Sequence, residues 1–127
     1  MAATPAIDLL GLAERILDGV IPMPPDRIPR AAAAVARQAL EEAVATQCDR
    51  LVEGLQRPTM RSQLIILREL GDRQIGGRAQ VAWDGLSQAC HHHAYELQPT
   101  IDEVRGLVLL VHQVASVPEV NSNLVMT

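Results

Sequence analysis

Apolar residues recur along this chain at intervals of three and four, the spacing that lines one face of an α-helix. Ile7, Leu10, Ala13, Leu17 and Val20 mark the first such face. Thr4 followed by Pro5 predicts its start: a capping hydroxyl, then proline at the first helical position, where no N–H is needed. Asp18-Gly19 weakens its end. Pro22, Pro24, Pro25 and Pro29 then fall within eight residues. Each proline removes a donor and crowds the preceding turn, so this stretch cannot be helix interior. The expectation is an N-terminal helix (1–21), a stiff, extended proline-rich connector (22–29) and a helical bundle core (30–118).

The core pattern continues through four helices. Residues 30–55 carry Ala36, Leu40, Val44, Cys48, Leu51 and Leu55 on one stripe, with charged residues opposite. Thr59 caps a third helix over 60–70, with Met60, Leu64, Leu67 and Leu70 inward and Gly71 as a left-handed stop. Asp72 to Gly77 reads as a polar turn. A fourth helix over 78–93 turns Ala79, Trp83, Leu86, Cys90 and His93 inward. Thr100-Ile101-Asp102-Glu103 is a capping-box sequence that opens the fifth, with Ile101, Val104, Val108, Val111 and Ala115 inward. Pro118 ends it, and 119–127 reads as a flexible tail. The fold class predicted is all-α, a single-domain bundle of four to five helices.

Two segments are more apolar than one buried stripe requires. Leu64 to Leu67 are four consecutive apolar residues, and Leu107 to Val111 are five. A bundle of 127 residues does not readily bury every face of two helices. Leu64, Ile65, Ile66, Leu109 and Leu110 are therefore the candidate interface, for a homo-oligomer or a protein partner. A helix apolar nearly all round, such as the fifth, is expected at the centre of a bundle or at a dimer seam.

Composition agrees with the helical reading. There are 17 Ala and 16 Leu against one Trp, one Tyr and no Phe. Two aromatic rings exclude a single-strand nucleic-acid platform built on stacking. Eleven basic residues, all Arg, against fifteen acidic give a net charge of −4, which argues against a DNA-binding field while leaving RNA a local Arg cluster. No apolar stretch is long enough to span a membrane. The N-terminus lacks a positive n-region. Two cysteines form no disulfide framework, so the expected location is cytoplasmic.

Candidate chemistry gathers at Cys90-His91-His92-His93-Ala94-Tyr95-Glu96. Successive helical residues point about 100° apart, so three adjacent histidines cannot face one ion. No second Cys/His pair completes a zinc set. No metal or cofactor is expected. Two roles remain for the histidines. They bond the last helical carbonyls and complement the dipole, or one of them transfers protons beside an Arg that holds phosphate, with Arg78 and Arg105 as candidates. Ser87 and His91 stand at i, i+4, but no orienting third group accompanies them. Trp83 and Cys48 read as core residues.

The order of Ala34-Val35-Ala36-Arg37-Gln38-Ala39-Leu40-Glu41, then Leu86-Ser87-Gln88-Ala89-Cys90-His91-His92-His93, then a proline-capped last helix resembles the small all-α HEPN class. The resemblance implies a dimeric helical bundle of the toxin–antitoxin or phage-defence type. Active members are metal-independent endoribonucleases with an Arg, four to six residues, then a His. No Arg stands at that distance before His91, His92 or His93; Arg105 and His112 are the pair with the spacing. The expectation is a cytosolic interaction protein that dimerises and binds a protein partner. The alternative is an endoribonuclease using His91, His92 or His93 with Arg78 or Arg105.

Overall fold

The computed structural model describes residues 5–56, 58–91 and 97–117. Its helices are α1 (Ala6–Leu17), α2 (Ile28–Leu51), α3 (Met60–Leu70), α4 (Arg73–Cys90) and α5 (Ile101–Ala115), with no strand among the described residues. This is the all-α bundle that the periodicity predicts.

The central helix is α2, which packs against the other four. The sequence pattern favours α5 for that place, and the difference has a physical reason. Ala32, Ala33, Ala36, Ala39 and Ala43 of α2 are all buried, and small side chains let neighbours approach from several directions. α5 instead packs on α1, α2 and α4 with Val104, Val108, Val111 and Val114. No helix among the described residues is long and apolar enough to cross a membrane.

α1 joins this core through Leu9, Leu10, Ala13, Ile16 and Leu17. Ile7 and Val20, expected inward, are 57% and 64% exposed, so the buried stripe is rotated toward Leu9 and Ile16. Thr4 lies outside the described residues. Gly19 at φ 77° closes the helix. Its N–H donates to Ile16 O, and the Val20 N–H donates to Arg15 O, the paired bonds of a Schellman stop. The connector is not extended throughout. Pro25–Arg27 forms a 3-10 turn, and α2 starts at Ile28, with Pro29 in its first turn, where a missing N–H costs nothing.

Thr59 and Thr100 cap α3 and α5 as expected, accepting from the N–H groups of Ser62 and Glu103. Two glycine assignments are corrected. Gly71 is extended (φ −105°), and the left-handed glycines are Gly19 and Gly54. Gly76-Gly77 is not a turn but the first part of α4. Asp72 Oδ1 accepts from the N–H groups of Gln74 and Ile75, so the helix begins five residues before Arg78. A Cβ on Gly76 would stand 2.9 Å from Arg68 Cα. Glycine there allows α3 and α4 to touch.

Candidate functional site

The larger cleft, about 660 Å3, opens where the C-terminus of α4, the N-terminus of α5 and the first turn of α2 meet. Its polar lining is Arg30, Gln88, His91, Gln98 and Glu103, and Leu97 and Leu107 are among its apolar walls. Arg30 Nη2 donates to Gln98 Oε1 at 2.9 Å across 68 residues of chain. The α4 wall depends on Gly85. A Cβ there would fall 2.6 Å from Leu107 Cδ2, so glycine lets the Leu107 side chain lie flat on the helix. Leu97 is 99% exposed at the rim.

His91 is the C-cap of α4 and is exposed. Its backbone N–H is shared between the carbonyls of Ser87 and Gln88, both at 3.2 Å. That contact uses the main chain and leaves the imidazole for other work. His92, His93, Tyr95 and Glu96 lie outside the described residues. Arg78 is exposed on α4 and does not line the cleft. Arg105 is on the opposite flank of α5. The cation that shares a cleft with His91 is Arg30, which no local motif marks, because its neighbours come from α4, α5 and the loop before α5.

The second cleft, about 320 Å3, lies between α1 and α5. Arg105 Nη2 sits 2.8 Å from Asp18 Oδ1 and donates to Leu17 O at 3.3 Å. One helical turn or two further on, His112 Nε2 pairs with Glu14 Oε1. The two pairs run in opposite directions along the two helices, so α1 and α5 are antiparallel. Arg105 and His112 therefore share one cleft, but each is engaged by a carboxylate, that of Asp18 at the C-cap of α1 and that of Glu14 within it. Among the described residues, no group of three His, Cys, Asp or Glu side chains could hold a metal ion.

The candidate interface residues separate. Leu64 is 1% exposed and belongs to the core, which removes it from the interface. Ile66 and Leu110 are half-buried against the core. Ile65 and Leu109 face solvent, 44% and 62% exposed. Leu107, outside the candidate set, lines the larger cleft.

Both cysteines are core-directed. Cys48 Sγ donates to Gln63 O at 3.3 Å. Burial, with a smaller contribution from Asp49, pushes its pKa up to about 11. Burial also raises Cys90, while the nearby cations Arg37 and Arg30 pull it back. Trp83 is half-buried, and the Arg37 guanidinium lies over its ring at 4.3 Å from the centroid. The Ser87 hydroxyl is buried without a partner, so Ser87 and His91 meet through the backbone, not as a dyad.

No protein-family model, curated protein or solved structure matches this chain. The class defined by fold and site is a helical bundle with a mixed polar and apolar cleft at the junction of α2, α4 and α5.

Proposed function

We propose that this is a HEPN-like helical interaction protein of the cytoplasm that pairs with a second copy through α5 and binds a protein partner in a toxin–antitoxin or phage-defence setting. The observation that carries it is the placement of Leu109. Four valines of α5 are buried by the bundle, yet Leu109 stands 62% exposed beside them, with Leu107 and Leu110 half-buried on the other flank. Apolar surface left in water on a helix already committed to the core favours association, by about 2 kcal/mol for a fully covered leucine. The larger cleft, with Leu97 and Leu107 beside Arg30 and Glu103, offers the partner both apolar contact and charge.

The test compares Leu109→Asp with Val81→Asp. Val81 is 58% exposed on α4, a nearly equal exposure on a different helix. Light-scattering mass should fall to the monomer for Leu109→Asp alone, with helicity unchanged in both. Equal masses for the two variants and the parent reject the α5 seam.

A second reading, a metal-independent endoribonuclease, is favoured by one observation: His91 and Arg30 line the same cleft. There His91 would move a proton and Arg30 would hold phosphate. RNA cleavage in EDTA by purified protein, abolished by His91→Ala, would establish it.

A further inference from the structure

One member of the candidate interface, Ile65, is left exposed by the bundle and lines neither cleft. It lies on α3, which packs on α2 and α4 and stands away from α1 and α5. Arg61, Ile65 and Arg68 follow one another at four and three residues and form one stripe of that helix. All three are exposed. The Arg68 main chain rests on Gly76, so the stripe borders α4. Arg73, three residues before Gly76, is exposed on the same flank of α4. Three cations therefore rim one apolar side chain where α3 and α4 meet.

Two observations say what covers this surface. The first is charge. Among the described residues no carboxylate pairs with Arg61, Arg68 or Arg73. Asp72 Oδ1 is taken by the first N–H groups of α4, and Asp84 accepts from the Gln80 side chain, which leaves Glu69 against three guanidinium groups. Residues 60–81 hold four of the eleven Arg and two of the fifteen acidic residues, a net charge of +2, while the rest of the chain carries −6. Such a field repels an anionic partner from most of the molecule and admits it here. The second is Ile65 itself. A phosphate backbone offers nothing apolar to cover it. The aromatic ring among the described residues, that of Trp83, is half-buried with Arg37 over it and is not open for base stacking. Carboxylates match guanidinium groups in bidentate pairs, and a protein segment presents them beside apolar side chains.

We infer that the α3–α4 crossing is a docking surface for an acidic amphipathic segment of another protein, with carboxylates on Arg61, Arg68 and Arg73 and an apolar side chain on Ile65. Arg61 and Arg68 are seven residues apart, about 10 Å along the helix. A helical partner meets that spacing with acids at i and i+7 and a leucine at i+3 or i+4. The surface depends neither on the α5 seam nor on the larger cleft.

The probe is a labelled synthetic helical peptide with Glu and Leu at those positions, titrated against the full chain by fluorescence anisotropy. Its comparators are the same peptide with Gln for every Glu, and a labelled oligouridylate of equal net charge. Saturable binding is expected for the Glu peptide, weakening as salt rises, and at least about tenfold weaker for the Gln peptide. Arg61→Gln combined with Arg73→Gln should weaken the Glu peptide by about tenfold. Arg15→Gln combined with Arg27→Gln removes the same charge from exposed positions elsewhere and should leave binding unchanged. Ile65→Ser should weaken it by about threefold. Circular dichroism controls for folding, and Ile65→Ser keeps the test open if the arginine variant misfolds. No saturable binding of the Glu peptide overturns the proposal, as does equal binding of the Gln peptide. An Arg61/Arg73 variant that binds as well as the Arg15/Arg27 control also overturns it. Oligouridylate binding more tightly than the Glu peptide overturns it in favour of nucleic acid. None of these results bears on dimerisation through α5.

Discussion

Gly76 of α4 lies against the main chain of Arg68 of α3, with room for a hydrogen and not for a methyl group. A Cβ at position 76 would meet Arg68 Cγ at 2.7 Å and Arg68 Cα at 2.9 Å. Gly77, its neighbour, has nothing within 4 Å of the same position. Two adjacent helical glycines therefore respond oppositely to one methyl group. Gly76→Ala forces backbone apart and should destabilise by about 1–3 kcal/mol. Gly77→Ala gains helix propensity in open space and should stabilise by up to about 1 kcal/mol. Urea unfolding of the two variants measures both signs.

That pair also shows why the start of α4 is hard to read in the sequence. Glycine doublets mark turns when only neighbours in sequence are considered, and here the glycines answer to α3, a separate helix. Features that depend on local chemistry are legible: the Thr59 and Thr100 caps, the buried Ala36, Leu40, Val44 and Cys48 of α2, and the valine face of α5. Features set by other helices are not. Ile7 satisfies the helical spacing of α1 but falls outside the face that α2 and α5 cover. Arg30 reaches Gln98 across 68 residues, and nothing near Arg30 in the sequence announces a cleft. The His91 segment does stand out by composition, and His91 does line that cleft, but with Arg30 in place of Arg78 or Arg105.

Cys48 makes stability pH-dependent in the alkaline range. Its folded pKa is raised to about 11 from an ordinary 9.0. Between those values the unfolded chain has lost the proton and the folded chain has kept it. Stability is therefore fully present below pH 9 and falls as pH rises, by at most about 1.4 kcal/mol per pH unit. Denaturant titrations at several pH values should show this loss in the parent and a shallower one in Cys48→Ala.

The ion pairs of the α1–α5 cleft contribute little to stability. The Arg105 and Asp18 side chains are 43% and 53% exposed, and solvent screens such pairs. Arg105→Ala should cost no more than about 1 kcal/mol, while Leu10→Ala, which opens a cavity at a fully buried position, should cost about 2–5 kcal/mol. Thermal unfolding of both variants tests the ranking: α1 is held by its apolar face, not by its charges.

His91→Ala should leave stability within about 0.5 kcal/mol of the parent. The sequence alone allows a larger loss, as for a buried hydrogen-bonded imidazole. The structure shows an exposed side chain whose backbone N–H does the capping. A loss above about 1 kcal/mol in chemical denaturation would contradict that placement.

The claim that α5 joins two copies is tested most directly by sedimentation equilibrium of the unmodified protein over a wide dilution series. One chain weighs 13.8 kDa. The account predicts a species of twice that mass at high concentration, dissociating reversibly on dilution to the single chain. A mass of 13.8 kDa at every concentration would contradict it.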